Sequence, residues 1–287
     1  MTEDRIPQTL YAHIGGSATW GCNFPEDAAL PGVKVLRAGM KFETPFGETV
    51  PMKLLEIMPE YTQNHENRYI LDVNFHGWNG LSPYGDRMEE RVFWVLKEAG
   101  VKYVVADGTV ACINPLFDVG DVLIPSGFID YTKRFSNISH FTDDIICMSD
   151  SVCPELKKNL GKNADMEFAR VFKRGTYGVY EAPRLETKEE VLKFYNDHCD
   201  VIGHTMMPEA ALARAIGACY APIYYVNSYA EGIDGHPERD ISEDYPVKTA
   251  RVLLKTLADI DPARKKCGCS EKRVRLSQEI KSRIQYE

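Results

Sequence analysis

Apolar positions follow two alternating patterns along this chain. Short runs of apolar and β-branched residues, bounded by turn-forming residues, predict strands at residues 11–16, 33–36, 68–75, 101–106, 121–125, 170–179, 201–202 and 221–226. Apolar residues at helical spacing predict helices at residues 86–99, 186–196, 208–217 and 244–260. Strands that alternate with helices in this way indicate an α/β layered fold.

The strand predicted at residues 101–106 leads into the most informative segment of the chain. The next five residues, Asp107 to Ala111, are mostly small and predict a turn. Small residues let backbone N–H groups approach a ligand closely, and consecutive N–H groups can form an anion-binding concavity. Because open α/β sheets bind ligands at the carboxyl ends of their strands, this segment predicts a ligand site.

Composition narrows the class of protein. The chain has 287 residues, is 44% apolar and carries a net charge of −8. This acidic balance argues against a nucleic-acid-binding protein and against a basic membrane-surface protein. No apolar run is long enough to span a membrane, and the first residues lack the apolar core of a signal peptide. We therefore expect a cytoplasmic protein whose partners include neither nucleic acid nor membrane.

The domain organisation predicted from the sequence is simple. No internal repeat, low-complexity tract or linker divides the chain, so we expect one domain over residues 1–287. The polar, glycine-containing segment 231–243 is typical of a mobile loop. The charged C-terminal tail, residues 261–287, is expected to pack as a peripheral helix.

The eight cysteines suggest buried thiols more than a metal site. Most are scattered in apolar surroundings, which is typical of free cysteines in a cytoplasmic protein. Only Cys267 and Cys269 form a close pair, and no second pair stands at zinc-finger spacing from it. The sequence therefore favours a solvated tail or a vicinal redox pair there, and no structural zinc.

Five segments in which small or polar residues follow predicted strands carry a family resemblance. They are residues 15–17, 74–80, 108–111, 180–187 and 203–209. Their order and spacing resemble the trimeric purine nucleoside phosphorylase and methylthioadenosine phosphorylase family over roughly residues 10–260. The stretches GTVACINPLFDVGD and FIDYT are the most specific, and the second is similar to the methylthioadenosine branch.

The resemblance implies a fold and a reaction. The fold is a single α/β domain with a mixed central β-sheet flanked by helices, and the assembly is a homotrimer. The reaction is that of a pentosyltransferase: phosphate cleaves the N-glycosidic bond of a purine nucleoside or a 5′-modified nucleoside such as methylthioadenosine. The products are free base and sugar 1-phosphate. Inorganic phosphate is the co-substrate, and neither a metal nor an organic cofactor is expected.

Residue by residue, the resemblance implies a phosphate site and a nucleoside site. The catalytic candidates are Ser17, His76 and Thr205. The residues expected around phosphate are Ser17, Asn74, His76, Thr109, Val110 and Thr205, with the loop of Thr109 supplying backbone N–H groups. The residues expected around the nucleoside are Trp78, Tyr177, Glu186, His204, Met206, Asn227 and Ser228.

Three of these positions have a second interpretation from local structure alone. Thr205 could cap the helix that begins near Pro208. Glu186 could be a first-turn helix charge, since an acidic residue there complements the helix dipole. Met206 could be a packing residue of the core.

The sequence departs from the family pattern around both substrates. Asn74 stands where the purine-nucleoside branch has a phosphate-binding arginine, and His204 stands where a methionine lies under the ribose. In the base-recognition segment, Ser228 and Ala230 replace the usual amide or acidic residues. Losing an arginine removes a permanently charged, bidentate partner for phosphate.

These departures leave two alternatives to phosphorolysis. Water instead of phosphate could be the nucleophile, which would make the protein a nucleosidase. A non-catalytic nucleoside-binding protein on the same fold is the other alternative, suggested by the altered base segment.

Overall fold

A mixed β-sheet forms the centre of the molecule. The computed structural model describes residues 5–76, 87–133, 138–233 and 242–275. The strands are β1 (Tyr11–Gly15), β2 (Val33–Met40), β3 (Glu43–Thr44), β4 (Gly47–Glu48), β5 (Met52–Ile57), β6 (Arg68–Asn74), β7 (Tyr103–Cys112), β8 (Val122–Leu123), β9 (Gly127–Asp130), β10 (Ile145–Ile146), β11 (Val171–Phe172), β12 (Thr176–Val179), β13 (Val201–Gly203), β14 (Cys219–Tyr229) and β15 (Arg273–Val274). The helices are α1 (Met88–Glu98), α2 (Pro154–Glu167), α3 (Lys188–Asn196), α4 (Met206–Ala215) and α5 (Tyr245–Ala258).

The sheet is parallel at its centre and antiparallel toward its edges. Its main path runs β11-β8-β14-β7-β1-β6-β5-β2. Strand β1 is parallel to both β6 and β7, and β14 is parallel to β7. Strands β5 and β2 continue the sheet in antiparallel pairing, while β13 pairs antiparallel with the end of β7 and leads to β12 and β9. This arrangement confirms the expected mixed central sheet flanked by helices.

Helices pack against the sheet and against one another. Helix α2 packs against α5, and α1 packs against α4. The sequence patterns missed α2, although Leu156, Leu160 and Ala164 recur at helical spacing and are buried along one face. A second, smaller hydrophobic core lies around α3 and includes Val191 and Phe194. Within the described ranges, no helix is long and apolar enough to cross a membrane.

The small-residue segment after residue 106 is a strand and not the turn that the sequence predicts. Strand β7 continues from Tyr103 to Cys112, because residues 107–112 pair with β14 on one side and residues 111–112 pair with β13 on the other. Small side chains at these positions leave room for the large neighbours of β14. The ring of Tyr224 lies so close to Gly108 that an added Cβ would be only 2.9 Å from it.

Two other predictions also need correction. The strand predicted at residues 170–179 is two strands, β11 and β12, which pair with different partners. The part of the C-terminal tail that the structure describes forms no long helix; residues 262–264 and 269–271 are short 3-10 turns and β15 pairs with β10. Most of the predicted loop 231–243 falls on residues 234–241, which lie outside the described residues, as does the tail from residue 276.

The cysteine pair of the tail has partners that sequence spacing could not reveal. Cys269 is buried and Cys267 is half-buried, so neither lies in a solvated tail. Their sulfur atoms lie beside those of Cys153 and Cys219. The prediction of a solvated tail at this pair was therefore wrong, whereas the vicinal redox pair stays a prediction.

Candidate active site

The carboxyl ends of three parallel strands bring the first candidate residues together. Gly15 at the end of β1 is opposite Asn74 at the end of β6. Strand β7 lies on the other side of β1, with Ile14 opposite Ala106, so the chain following β1 passes directly over residues 107–109. A ligand site at this edge is the arrangement expected for an open α/β sheet.

The hydroxyl of Ser17 is fixed to β7. The Thr109 backbone N–H donates to Ser17 Oγ over 2.9 Å, and the two side-chain hydroxyl oxygens are 2.8 Å apart. Both residues are half-buried, so these hydroxyls lie at the surface of the site. The predicted Thr109 N–H is thus present at the site, and Ser17 is its acceptor in this structure. Val110, the next residue, is buried within β7.

His76 is held by a buried carboxylate. Its Nε2 donates to Glu209 on α4, and the other oxygen of that carboxylate accepts from the Tyr220 hydroxyl at 2.8 Å. A carboxylate accepts only, so Nε2 carries a proton. His76 Nδ1 is buried and has no hydrogen-bond partner among the described residues. Sequence reasoning found His76 but missed Glu209, which lies 133 positions away.

The free nitrogen of His76 faces the loop that carries Ser17. A Cβ placed on Gly16 would lie 2.7 Å from His76 Nδ1 and would overlap the Asp107 carbonyl. Glycine is therefore required at position 16 for this close approach. A buried nitrogen that has no partner among the described residues and faces this loop is suited to meet an anion that enters the site.

Thr205 lies beside Gly108 of β7, on the chain that leaves β13. Because β13 runs antiparallel to the end of β7, the chain that leaves β13 turns back along β7. The Thr205 hydroxyl oxygen would be 3.5 Å from a Cβ on Gly108. Thr205 occupies the N-cap position of α4, but its side chain makes no capping hydrogen bond. The capping interpretation is thus not supported, and the hydroxyl lies 3.4 Å from that of Tyr224.

Tyr177 lies beneath Thr205. It is fully buried, its hydroxyl accepts from the Thr205 backbone N–H at 3.3 Å, and it packs against Gly203. Burial raises the pKa of Tyr177 to about 12, so the hydroxyl stays protonated. In this structure Tyr177 positions Thr205, and its expected contact with a sugar stays a prediction.

The residues expected around the nucleoside are buried to different extents. His204 Nδ1 donates to the Tyr180 carbonyl at 3.0 Å, which fixes the tautomer of the neutral ring with its proton on Nδ1. Glu186 is buried and accepts from the Glu231 backbone N–H at 3.2 Å. It precedes Thr187, the N-cap of α3, so the first-turn acidic residues are Glu189 and Glu190 instead.

The remaining nucleoside candidates differ in exposure. Asn227 and Ser228 are exposed at the carboxyl end of β14, where Ser228 is opposite Ala111 of β7. Met206 is fully buried, as a packing residue would be. Trp78 lies outside the described residues.

A buried histidine lies between two aspartates next to the loop that carries Ser17. His13 Nδ1 is 2.7 Å from Asp72 Oδ1, and His13 Nε2 is 3.0 Å from Asp107 Oδ2. Burial by itself lowers the pKa of His13, but the hydrogen bonds to Asp107 and Asp72 outweigh it and raise the pKa to about 9. Asp107 also accepts from the backbone N–H and the hydroxyl of Thr19. This ion cluster ties β1, β6 and β7 to the loop that carries Ser17.

Sequence reasoning missed this cluster. His13, Asp72 and Asp107 lie in three separate strands, and only an acidic or basic residue inside a predicted buried strand could have signalled a partner.

Comparisons with known proteins find relatives of one family over most of this chain. The phosphorylase superfamily model matches residues 85–259. The S-methyl-5′-thioadenosine phosphorylase of Pyrococcus horikoshii is 29% identical over 90% of this chain and 95% of its own length. The probable S-methyl-5′-thioinosine phosphorylase of Methanopyrus kandleri is 32% identical over 69% of this chain and 80% of its own length.

Solved structures show the same fold. A methylthioadenosine phosphorylase from an antarctic soil metagenomic library superposes with a TM-score of 0.70 at 24% identity, covering 96% of this chain and 98% of that one. A mutant adenosine/methylthioadenosine phosphorylase from Schistosoma mansoni, in complex with adenine, gives a TM-score of 0.72 at 18% identity, covering 92% and 95%.

Proposed function

Because the chain belongs to the phosphorylase superfamily, we propose that it cleaves the N-glycosidic bond of a purine nucleoside with inorganic phosphate. The preferred substrate is a 5′-modified nucleoside such as methylthioadenosine, and the products are free base and sugar 1-phosphate. The names of the relatives support this substrate class. The observation that carries the proposal is the buried His76 Nδ1, which has no hydrogen-bond partner in the described part of the chain and faces Gly16 in the loop that carries Ser17.

The arrangement of these side chains accounts for how phosphate, the nucleophile, is bound. The hydroxyls of Ser17 and Thr205 donate to phosphate oxygens, and His76 Nδ1 donates to a third when its ring carries both protons. The Glu209 carboxylate stabilises that charged ring from the opposite side. The Thr109 N–H orients Ser17 and becomes available to phosphate if the Ser17 hydroxyl rotates away.

The bond changes follow from this placement. As the bond from the anomeric carbon to the purine nitrogen breaks, its electron pair leaves with the base, which takes up a proton. Positive charge develops on the sugar, and the adjacent phosphate dianion stabilises it before forming the new carbon–oxygen bond. No step in this sequence requires a metal or an organic cofactor.

The nucleoside would lie at the carboxyl ends of β13 and β14. His204 and the exposed Asn227 and Ser228 border that region, and Glu186 holds the start of the adjacent segment at Glu231. We assign base recognition to Asn227, Ser228 and Glu186 and contact with the ribose to His204, and Trp78 stays the aromatic residue expected near the sugar. We also propose that three copies of the chain assemble, as the resemblance implies, with each site bordered by a neighbouring subunit.

Product analysis tests the reaction. Purified protein is incubated with methylthioadenosine, methylthioinosine, adenosine and inosine, with and without phosphate. We expect base release that depends on phosphate, with sugar 1-phosphate detected by phosphorus NMR. Phosphate-independent release of free sugar would identify a nucleosidase, and release of no base under any condition would overturn the catalytic proposal.

Variants of the site residues test where phosphate binds. Ser17→Ala and Thr205→Val each remove one donor, so we expect the KM for phosphate to rise about fivefold to tenfold while the KM for nucleoside changes little. Ser126→Ala is the matched control, because Ser126 is exposed and bonds to Lys157 away from this edge. An unchanged phosphate KM in both variants would place the anion elsewhere.

A further inference from the structure

Four cysteine sulfur atoms meet in one cluster. The Sγ atoms of Cys153, Cys219, Cys267 and Cys269 all lie within 4.8 Å of one another. Three of these residues are buried and Cys267 is half-buried. The pair Cys219–Cys267 is 3.4 Å apart, and all eight cysteines of the chain are free thiols.

The cluster joins three parts of the fold. Cys153 is the N-cap residue of α2, and Cys219 is the first residue of β14. Cys267 and Cys269 lie in the C-terminal segment beyond α5. Cys219 is opposite Tyr103, the first residue of β7, whereas the candidate active site lies at the other ends of β7 and β14. The cluster is thus separate from the reaction.

We propose that Cys153, Cys219, Cys267 and Cys269 bind one structural zinc ion that fixes the C-terminal segment to α2 and β14. Four cysteine thiolates at the corners of a tetrahedron are one of the standard ligand sets of structural zinc. A Zn–S distance of 2.3 Å sets the sulfurs about 3.8 Å apart, so sulfurs already within 4.8 Å need only small shifts. Binding converts four thiols to thiolates and releases four protons to solvent.

The surroundings suit a tetrathiolate site, whose net charge is −2. The buried guanidinium of Arg214 lies near Cys269 and donates to the Cys147 and Asp150 carbonyls. The backbone N–H groups of Leu156 and Cys269 lie near Cys153 Sγ and Cys267 Sγ respectively, where each can donate to a thiolate. Such N–H···S bonds orient metal-bound thiolates and stabilise their charge.

One carboxylate near the cluster is unfavourable beside a negatively charged site. Glu155 contacts the Cys267 thiol, but its carboxylate is also engaged by the Lys266 backbone N–H at 2.6 Å.

The alternative to zinc binding is that the same four cysteines form two disulfides. Zinc is favoured because every sulfur is near every other, whereas two disulfides require only that each sulfur be near one partner. Disulfides are also rare in the cytoplasmic compartment that the sequence predicts.

Metal analysis of the whole protein tests the proposal. The protein is expressed in zinc-supplemented medium, dialysed into metal-free buffer and analysed by mass spectrometry for elements. We expect one zinc per chain, with the content of Cys153→Ser and Cys269→Ser falling close to zero. Cys147→Ser is the matched control, because Cys147 follows β10 on the ribbon that pairs with the C-terminal β15 but is no member of the cluster. It should keep its zinc.

A second measurement on the unaltered chain covers variants that fail to fold. Protein from zinc-depleted medium is reduced, titrated with Zn²⁺ or Mg²⁺ alone and treated with an alkylating reagent. Only Zn²⁺ should protect the four cluster cysteines, and it should raise Tm by about 10 °C. Absence of zinc together with open alkylation of these thiols, or peptide mapping that finds them in disulfides, would overturn the proposal.

Discussion

Glu209 holds His76 by one ring nitrogen and leaves the other facing the Ser17 loop. The hydrogen bond is buried, because His76 is 7% exposed and Glu209 is 1% exposed. The second oxygen of Glu209 is occupied by Tyr220, so the carboxylate cannot rotate freely. The direction of His76 is therefore set by Glu209, which Tyr220 in turn holds in place.

We expect Glu209→Gln to weaken the use of phosphate more than the binding of nucleoside. A neutral amide gives less stabilisation to the doubly protonated His76 ring that we propose binds phosphate, and a charge-assisted hydrogen bond contributes about 1.5–3 kcal/mol, so kcat/KM for phosphate should fall roughly 10- to 150-fold. Steady-state kinetics with each substrate varied in turn measures this split.

Two further variants distinguish positioning from general damage. Tyr220→Phe leaves the bond between His76 and Glu209 in place and should have a smaller effect on phosphate. The double variant of His76→Gln and Glu209→Gln should lose little more than His76→Gln alone, because both act on one interaction. Fully additive losses would contradict the positioning role of Glu209.

Asn74→Arg should strengthen phosphate binding. Asn74 is exposed at the end of β6, and its side chain lies over Gly15 beside the proposed phosphate site. A guanidinium there adds a permanent charge and bidentate donors, so the KM for phosphate should fall about tenfold. Asn74→Gln controls for side-chain length, and an unchanged KM in Asn74→Arg would show that this side chain does not reach the anion.

The His13 cluster predicts a loss of stability at alkaline pH. Folding raises the pKa of His13 from 6.5 to about 9, so the folded state holds this proton more tightly than the unfolded state. The resulting contribution is complete below pH 6.5, declines between pH 6.5 and 9 and amounts to roughly 3 kcal/mol in total.

Urea unfolding across this pH range measures the effect. The free energy of unfolding should fall as the pH rises, and the fall should be much smaller in His13→Gln. That variant should also be less stable at pH 6.5, because it leaves Asp72 and Asp107 without a buried cation. Equal pH slopes in both proteins would refute the assignment.

Arg68 should be important for stability. It is 1% exposed, and its guanidinium donates to the Leu257 and Ala258 carbonyls at the end of α5. Burial lowers the pKa of Arg68, although nearby Tyr11 and acidic groups oppose that effect. Arg68→Met leaves these carbonyls without their donor, so unfolding should become easier by roughly 3 kcal/mol.

Thermal unfolding checks this expectation against a surface arginine. Arg264 has a side chain that is 78% exposed and pairs with Asp261, so Arg264→Met should change Tm little. A similar Tm for the two variants would mean that the contacts of Arg68 with α5 add no net stability.

Local pattern was enough for much of the scaffold. The apolar runs at β1, β6 and β14, together with the periodicity of α1, α3 and α5, gave the alternation from which an α/β fold was inferred. The family resemblance carried by the small-residue segments implied Ser17, His76, Thr109 and Thr205 as candidates. The strand and helix patterns are local because backbone geometry and burial on one face depend on residues a few positions apart.

Contacts between distant segments could not be read in this way. Asp107 to Ala111 has the composition of a turn, and only pairing with β13 and β14 makes it a strand. The same holds for Thr205, whose position suggests a cap although its hydroxyl is turned toward Tyr224.

The sequence by itself therefore determined the fold class and the main residues expected around phosphate. The tertiary structure alone decided that Glu209 orients His76, that Asp72 and Asp107 enclose His13, and that Cys153 and Cys219 join the cysteine pair of the tail. The physical reason is that these interactions depend on distances of a few ångströms between side chains far apart in the chain. Such distances arise only when the strands pair and the helices pack.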